Sequence, residues 1–461
     1  MRVTKSPSGL ASSTPTGTLA ATASASTAKT TVAWNAAIGG GHAPVMAEVD
    51  FVNNYNATNK DNIQIEVQTW LPSCMNCDFA DDIAAGTVDL VGPLSIGDFP
   101  RLSDYRLGLN DLIAKNQTDL SAYPPALMNT LKNSAGQCVG LPYIEYPAFI
   151  FYNKDLFKKA GLPDLPTRVG EKYMGQDWTW DELATIATQL TVDTSGRKPT
   201  DLGFNPAKIK TYGFDTQWIN DLRRFATPFG AGSYVAADGK TAQIPPAWGQ
   251  AWNWYYDAMW KSHFAPTNAE RMAAAMGSGT TVATGRVAMD LAWAWGIYSF
   301  GPNDANGTST ASPLYAHWDM GVLPSNGGVT TDPIDVDTFM ITKNSKHPDA
   351  AYKAMLAIMA APSLRGGGMP ADPSLQPAYF QTAQAGVNDH FPGNPVSWSV
   401  LAEMAKYAGS PAFDALTPNY VKAATDDQAL YTELQSNGNL NLDAEIAKFK
   451  ATLQADFKAA P

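Results

Sequence analysis

The apolar positions of the chain change period again and again, from two to about 3.6 and back. "TTVAW" at 30–34 is a short apolar run that reads as a strand. Beyond the loop "NAAIGGG", the segment 42–56 spaces Val45, Val49 and Val52 along one helix face. "NIQIEVQTW" sets Ile63, Ile65 and Val67 against Gln64, Glu66 and Gln68, the alternation of a half-buried strand. "FADDIAAGTVDLVGPL" then gives a short helix, a glycine and the strand "VDLV". Strand and helix in alternation predict an α/β domain on a largely parallel sheet. Ligands of such sheets bind beyond the carboxyl ends of the strands. That points to the loops opening at Asn35 and at Gly92.

A second set begins near "AFIFYN". In "DWTWDELATIATQL", Thr179 and Glu182 have capping-box spacing, and Leu183, Ile186, Ala187 and Leu190 share a face. "AWGQAWNWYYDAMWKSHF" reads as an aromatic helix and "RVAMDLAW" as a strand. "MGVLP" and "DTFMIT" read as short strands. "HPDAAYKAMLAIMAAP" places Pro348 in a first helical turn. From about Ser397 the pattern is mostly helical, and no internal repeat is evident.

Composition sharpens this picture. A chain of 461 residues that is 45% hydrophobic exceeds one core, because cores give way to several domains beyond ~250–300 residues. The net charge of -11 and the lack of a Lys/Arg cluster disfavour nucleic acid and anionic lipid as partners. No run approaches the ~18–20 apolar residues of a membrane span. No secretory apolar region is visible at the start, and 1–30 is Ser, Thr, Ala and Pro with no acid, the composition of a disordered tether. The other reading of that segment is a misjudged start. Cys74 and Cys77 form one CxxC with no second pair and no nearby His, so a small disulfide is favoured over zinc or a redox site. Cys138 reads as a buried thiol. There is no HExxH and no GxSxG, and the glycine a phosphate loop needs before "GKT" is Tyr234. Neither cofactor nor metal is expected. Paired carboxylates for glycoside hydrolysis need only geometry and stay open.

Several stretches resemble one family, the extracellular solute-binding proteins of ABC importers, in the branch that takes up sugars and oligosaccharides. "GQCVGLPYIEYPAFIFYNKDLFKKAGL" is the most specific block. "WTWDEL", "TGRVAMDLAWAW", "MGVLPSNGG", "NSKHPDAAYKAMLAIM" and "GGGMPADPSL" follow in the family's order. The resemblance implies a two-lobed α/β periplasmic-binding-protein fold of type II, with a hinge crossed several times. Crossings are expected near 142–147, near Pro324 and near 364–370. Lobe 1 would hold 31–145 and 325–365, and lobe 2 would hold 146–324 and 366–461. The implied partners are a small carbohydrate and ABC permease subunits, with the chain a monomer outside the cytoplasmic membrane, held by its tether. The lipid-bearing cysteine of such anchors is absent from the tether.

The resemblance also implies site residues. Trp295 matches a tryptophan that stacks on a sugar ring, while Trp293 stands where the family has a glycine. An indole face suits the apolar C–H face of a sugar. Asn35 and His42 lie at the first strand-end loop, and Ser95 and Asp98 at the second. Glu145 and Tyr146 fall in the first crossing, Gln217 and Trp218 at a family sugar-contact position, and Asp335 after the second crossing. Arg365 precedes the third crossing, and an arginine can clamp hydroxyls or an acid group. Trp398 stands where a second stacking ring is common. Core packing for each ring and solvated surface for each polar residue are the plain alternatives. So are a tryptophan-lined glycoside hydrolase, an adhesion protein, or a receptor for a polyol, uronate or sugar phosphate.

Overall fold

The computed structural model describes residues 28–36, 42–68, 83–97, 99–216, 221–273, 276, 280–300, 314, 316–361, 367–390, 393–409 and 417–459. Cys74, Cys77, Asp98, Gln217, Trp218 and Arg365 lie outside them.

Strands β1 (Thr30–Asn35), β2 (Ile63–Val67), β3 (Leu90–Ser95) and β4 (Leu141–Tyr146) come first. The chain passes Pro147 into β5 (Ala148–Asn153). A hairpin of β6 (Lys172–Tyr173) and β7 (Gln176–Asp177) follows, then β8 (Val192–Asp193), β9 (Ile209–Asp215), β10 (Val287–Trp293) and β11 (Trp318–Gly321). β12 (Asp335–Ile341) and β13 (Met369–Pro370) come last. One sheet has the order β13-β4-β12-β3-β1-β2, the other β11-β5-β10-β9-β8. Each sheet with its helices is one lobe.

Neither sheet is largely parallel, which corrects the expectation. β1 runs parallel to β2 and β3, but β12 is antiparallel to β3 and β4, and β13 to β4. In the second sheet β9 and β10 are parallel, while β5, β8 and β11 run against their neighbours. The cause is the crossing itself. β12 returns to the first lobe at the edge where β4 leaves it, so the two must oppose. β13 also belongs to the first sheet, and Ala371 N–H donates to Tyr143 O at 3.0 Å. The first lobe therefore runs past residue 365, where the sequence suggested it would end.

Pro147, between β4 and β5, has no N–H to give to a ladder, and the chain passes from one sheet to the other there. Its carbonyl instead accepts from Ala294 N–H at 2.9 Å. The first crossing is therefore held from the second lobe's side as soon as it is made.

Two helices of the second lobe place the site. The helix Trp180–Leu190 starts at Thr179, whose Oγ1 accepts from Glu182 N–H at 3.2 Å, and buries Trp180, Leu183, Ile186, Ala187 and Leu190. It lies so close to β9 that a Cβ on Gly213 would stand 1.9 Å from Ala187 O. Only glycine permits that approach. The aromatic helix Pro246–Trp260 buries Trp248, Trp252, Tyr255 and Tyr256. Trp252 Nε1 donates to Leu222 O at 2.8 Å, which pins the short helix Leu222–Ala226 at the end of β9. Cys138 is buried, with its Sγ donating to Gly140 O at 3.1 Å.

Candidate functional site

Register alone brings one set of residues to a common edge. Asp335 at the start of β12 pairs with Tyr146 at the end of β4, and Asp337 pairs with Ser95 at the end of β3. The carboxyl ends of β3 and β4 and the amino end of β12 thus face the crossing. In the second lobe Trp293, at the end of β10, pairs with Ala148 at the start of β5. Both sheets present these edges to one cleft. Its lining includes Gly97, Asp335 and Pro333 on one side and Arg224, Thr227 and Trp293 on the other.

Ser95 Oγ donates to Asp335 Oδ1 at 2.9 Å and accepts from Arg224 Nη2 at 3.4 Å. Arg224 comes from the second lobe, so this contact spans the cleft. Its guanidinium sits 5.6 Å from the centre of the Trp293 ring, a cation–π distance. Its Nε lies 3.4 Å from Asp221 Oδ2. Asp221 also caps the helix, accepting from the N–H groups of Arg223 and Arg224 at 3.1 and 2.9 Å. Behind it, Arg223 is buried beside Asp221 and Asp427. Burial works against the Arg223 charge, but those two carboxylates outweigh it and hold its pKa above the usual range. Burial lifts Asp427 to about 6 against the pull of Arg223. A second contact spans the lobes where Tyr420 OH donates to Gly97 O at 2.9 Å.

Trp293 and Trp295 stack with ring centres 6.2 Å apart and planes 16° apart. Trp293 is only 2% exposed, and its Nε1 donates to Pro333 O at 2.8 Å. Trp295 is half-buried. Trp293 lines the cleft, and Trp295 stands beside it.

The hinge holds two acids. Asp332 is fully buried, and its Oδ1 accepts from Ala148 N–H at 2.9 Å. Its own N–H donates to Tyr407 O, and its carbonyl accepts from Gly409 N–H. One residue thus ties the first and second crossings to the 407–409 segment. Burial, and then the Glu145 charge, push its carboxyl well up, and burial alone lifts Glu145 to about 8. Burial, and then Asp337, raise the Tyr146 hydroxyl, and that ring is buried.

Ser95, Asp335 and Trp293 thus meet around the cleft, with Trp295 beside Trp293 and with Glu145 and Tyr146 at the hinge. Asn35 ends β1 and is buried at 2% exposure. His42 opens the helix His42–Thr58. Trp398 is 4% exposed and belongs to the core of the second lobe. Ser397 beside it bonds to Asp319, which pairs with Tyr152 towards the end of β5 away from the cleft. The structure gives this ring a packing role in place of the expected stacking one. Sequence reasoning missed Arg224, Asp221 and Asp332. "DLRRFA" did carry a signal, an N-cap aspartate followed by two arginines just after β9.

Two α/β lobes, joined by several crossings and closing on one cleft, define a two-lobed solute receptor. The chain belongs to the bacterial extracellular solute-binding proteins, whose family model matches residues 27–360. A comparison with curated protein sequences gave no significant match. Among solved structures, an ABC substrate-binding protein of Listeria monocytogenes in complex with cycloalternan superposes with a TM-score of 0.68 at 20% identity. That match covers 93% of this chain and 98% of that one. The cyclic alpha-maltosyl-1,6-maltose binding protein of Arthrobacter globiformis gives 0.65 at 17% identity, covering 94% and 100%. Maltose-bound MalE3 of T. maritima gives 0.65 at 16% identity, covering 93% and 99%. The likeness is one of fold. Among the described residues no helix is long and apolar enough to cross a membrane, and no group of acids, His or Cys could hold a metal.

Proposed function

We propose that this chain captures a sugar or oligosaccharide outside the cytoplasmic membrane, in the cleft between its lobes, and delivers it to the permease of an ABC importer. The observation that carries the reading is Trp293 at the cleft, with Trp295 stacked beside it and Arg224, Ser95 and Asp335 around it. A stacked indole pair offers an apolar face to a sugar ring, and the surrounding donors and acceptors suit its hydroxyls. Membership of the solute-binding family supports it, as do the saccharides named with the three structures above. The chain acts as a monomeric receptor rather than an enzyme, and binding energy drives the closing of the lobes. The Ser/Thr-rich segment 1–30 serves as a tether to the membrane.

The test is tryptophan fluorescence with a parallel thermal melt against neutral mono- and oligosaccharides, polyols, uronates and sugar phosphates. A saturable fluorescence change and a melting rise with one sugar class support the reading, since a ligand bound only by the folded state stabilises it. Silence across all saccharides refutes it. Product sugars accumulating with time would assign a hydrolase instead.

A further inference from the structure

The reading above leaves the charge of the ligand open, and Arg224 bears on it. An arginine in a sugar cleft often recognises a carboxylate or phosphate, because its planar fork matches both. Here the guanidinium is already engaged on three sides. Asp221 lies at its Nε, Trp293 under its face, and Ser95 at its Nη2, with Asp335 just behind Ser95. Arg223, the next cation along the helix, is held by Asp221 and Asp427. Two guanidinium groups therefore meet three carboxylates. The positive charge at the cleft is neutralised before any ligand arrives. What remains are hydrogen-bonding directions, not an unbalanced charge. A neutral hydroxyl can use them by inserting between Arg224 and Ser95 or Asp335. An anion would also face Asp335 and Asp221 at close range, where like charges cost more than in water.

Resting on the sugar reading, we propose that Arg224 is the specificity-determining residue of the cleft and that its acidic setting selects neutral saccharides over uronates and sugar phosphates. The guanidinium also lies over the indole face of Trp293.

The experiment is isothermal titration of the full chain with a neutral sugar that binds, its uronate and its phosphate ester. The wild type, Arg224→Gln, Arg224→Lys and Asp335→Asn are compared, each with a thermal melt to report folding. The expected result is at least about tenfold weaker binding of both anions by the wild type. Asp335→Asn narrows that gap, and Arg224→Gln weakens the neutral sugar by about tenfold or more, with Arg224→Lys between. Tighter binding of the uronate or phosphate ester than of the neutral sugar overturns the proposal and leaves the sugar reading standing. So does an unchanged neutral affinity in a folded Arg224→Gln chain. Failure of every saccharide, neutral or acidic, overturns the sugar reading and this proposal with it.

Discussion

Glu48 should make the chain less stable as pH rises. It lies within the helix His42–Thr58, is 4% exposed, and its Oε2 has no hydrogen-bond partner among the described residues. Burial pushes its pKa from 4.5 up to about 8. Such an acid keeps its proton when folded at pH values where the unfolded chain has lost it. The penalty is absent below the unfolded value, grows with pH between 4.5 and about 8, and is constant above. At about 1.4 kcal/mol per pH unit, the penalty near neutrality reaches roughly 3 kcal/mol, as an upper figure. Glu48→Gln keeps the shape and cannot ionise. Urea unfolding of both chains, followed by tryptophan fluorescence, should give near-equal stability at about pH 4 and an advantage of roughly 2–3 kcal/mol for the Gln chain at about pH 7. Glu145 and Asp332 also titrate, but they are common to both chains and cancel in the difference. A difference that stays constant from acid to neutral pH would refute the reasoning.

Three further outcomes follow from the same geometry. Trp295→Ala should weaken ligand binding about tenfold, read by titration calorimetry, with little change in the melt because the ring is only half-buried. Asp332→Ala leaves the Ala148 N–H without its acceptor and should cost about 1–3 kcal/mol in urea unfolding, while Asp332→Asn keeps the acceptor and should cost less. Equal losses would show that this bond does not hold the hinge. Gly213→Ala forces a methyl onto Ala187 O and should destabilise by about 3 kcal/mol or more, seen as a fall in soluble yield and urea midpoint.

The local elements were legible because their signals are local. The alternation in 62–70, the cap at Thr179, Pro348 in a first turn and the break at Pro147 each act within a few residues. Periodicity says which face of an element is buried, and it set out two α/β sets, while the family resemblance gave the lobes and marked the tryptophan pair. Periodicity does not say against what that face is buried. Strand direction depended on where the chain re-enters each lobe, so a largely parallel sheet became a mixed one. Trp398 and Trp293 both read as possible stacking rings; both are buried in the core, and only the fold places Trp293 at the cleft. The cleft itself joins residues far apart in sequence, with Arg224 129 positions from Ser95 and Ser95 240 from Asp335. A charge in "DLRRFA" has no visible meaning until folding sets it over Trp293 and between Asp221 and Ser95. Sequence determined the elements through short-range propensity and burial, and the family through motif blocks that resemble it. Tertiary structure decided the site, because charge balance and hydrogen-bond geometry exist only between groups that folding brings together.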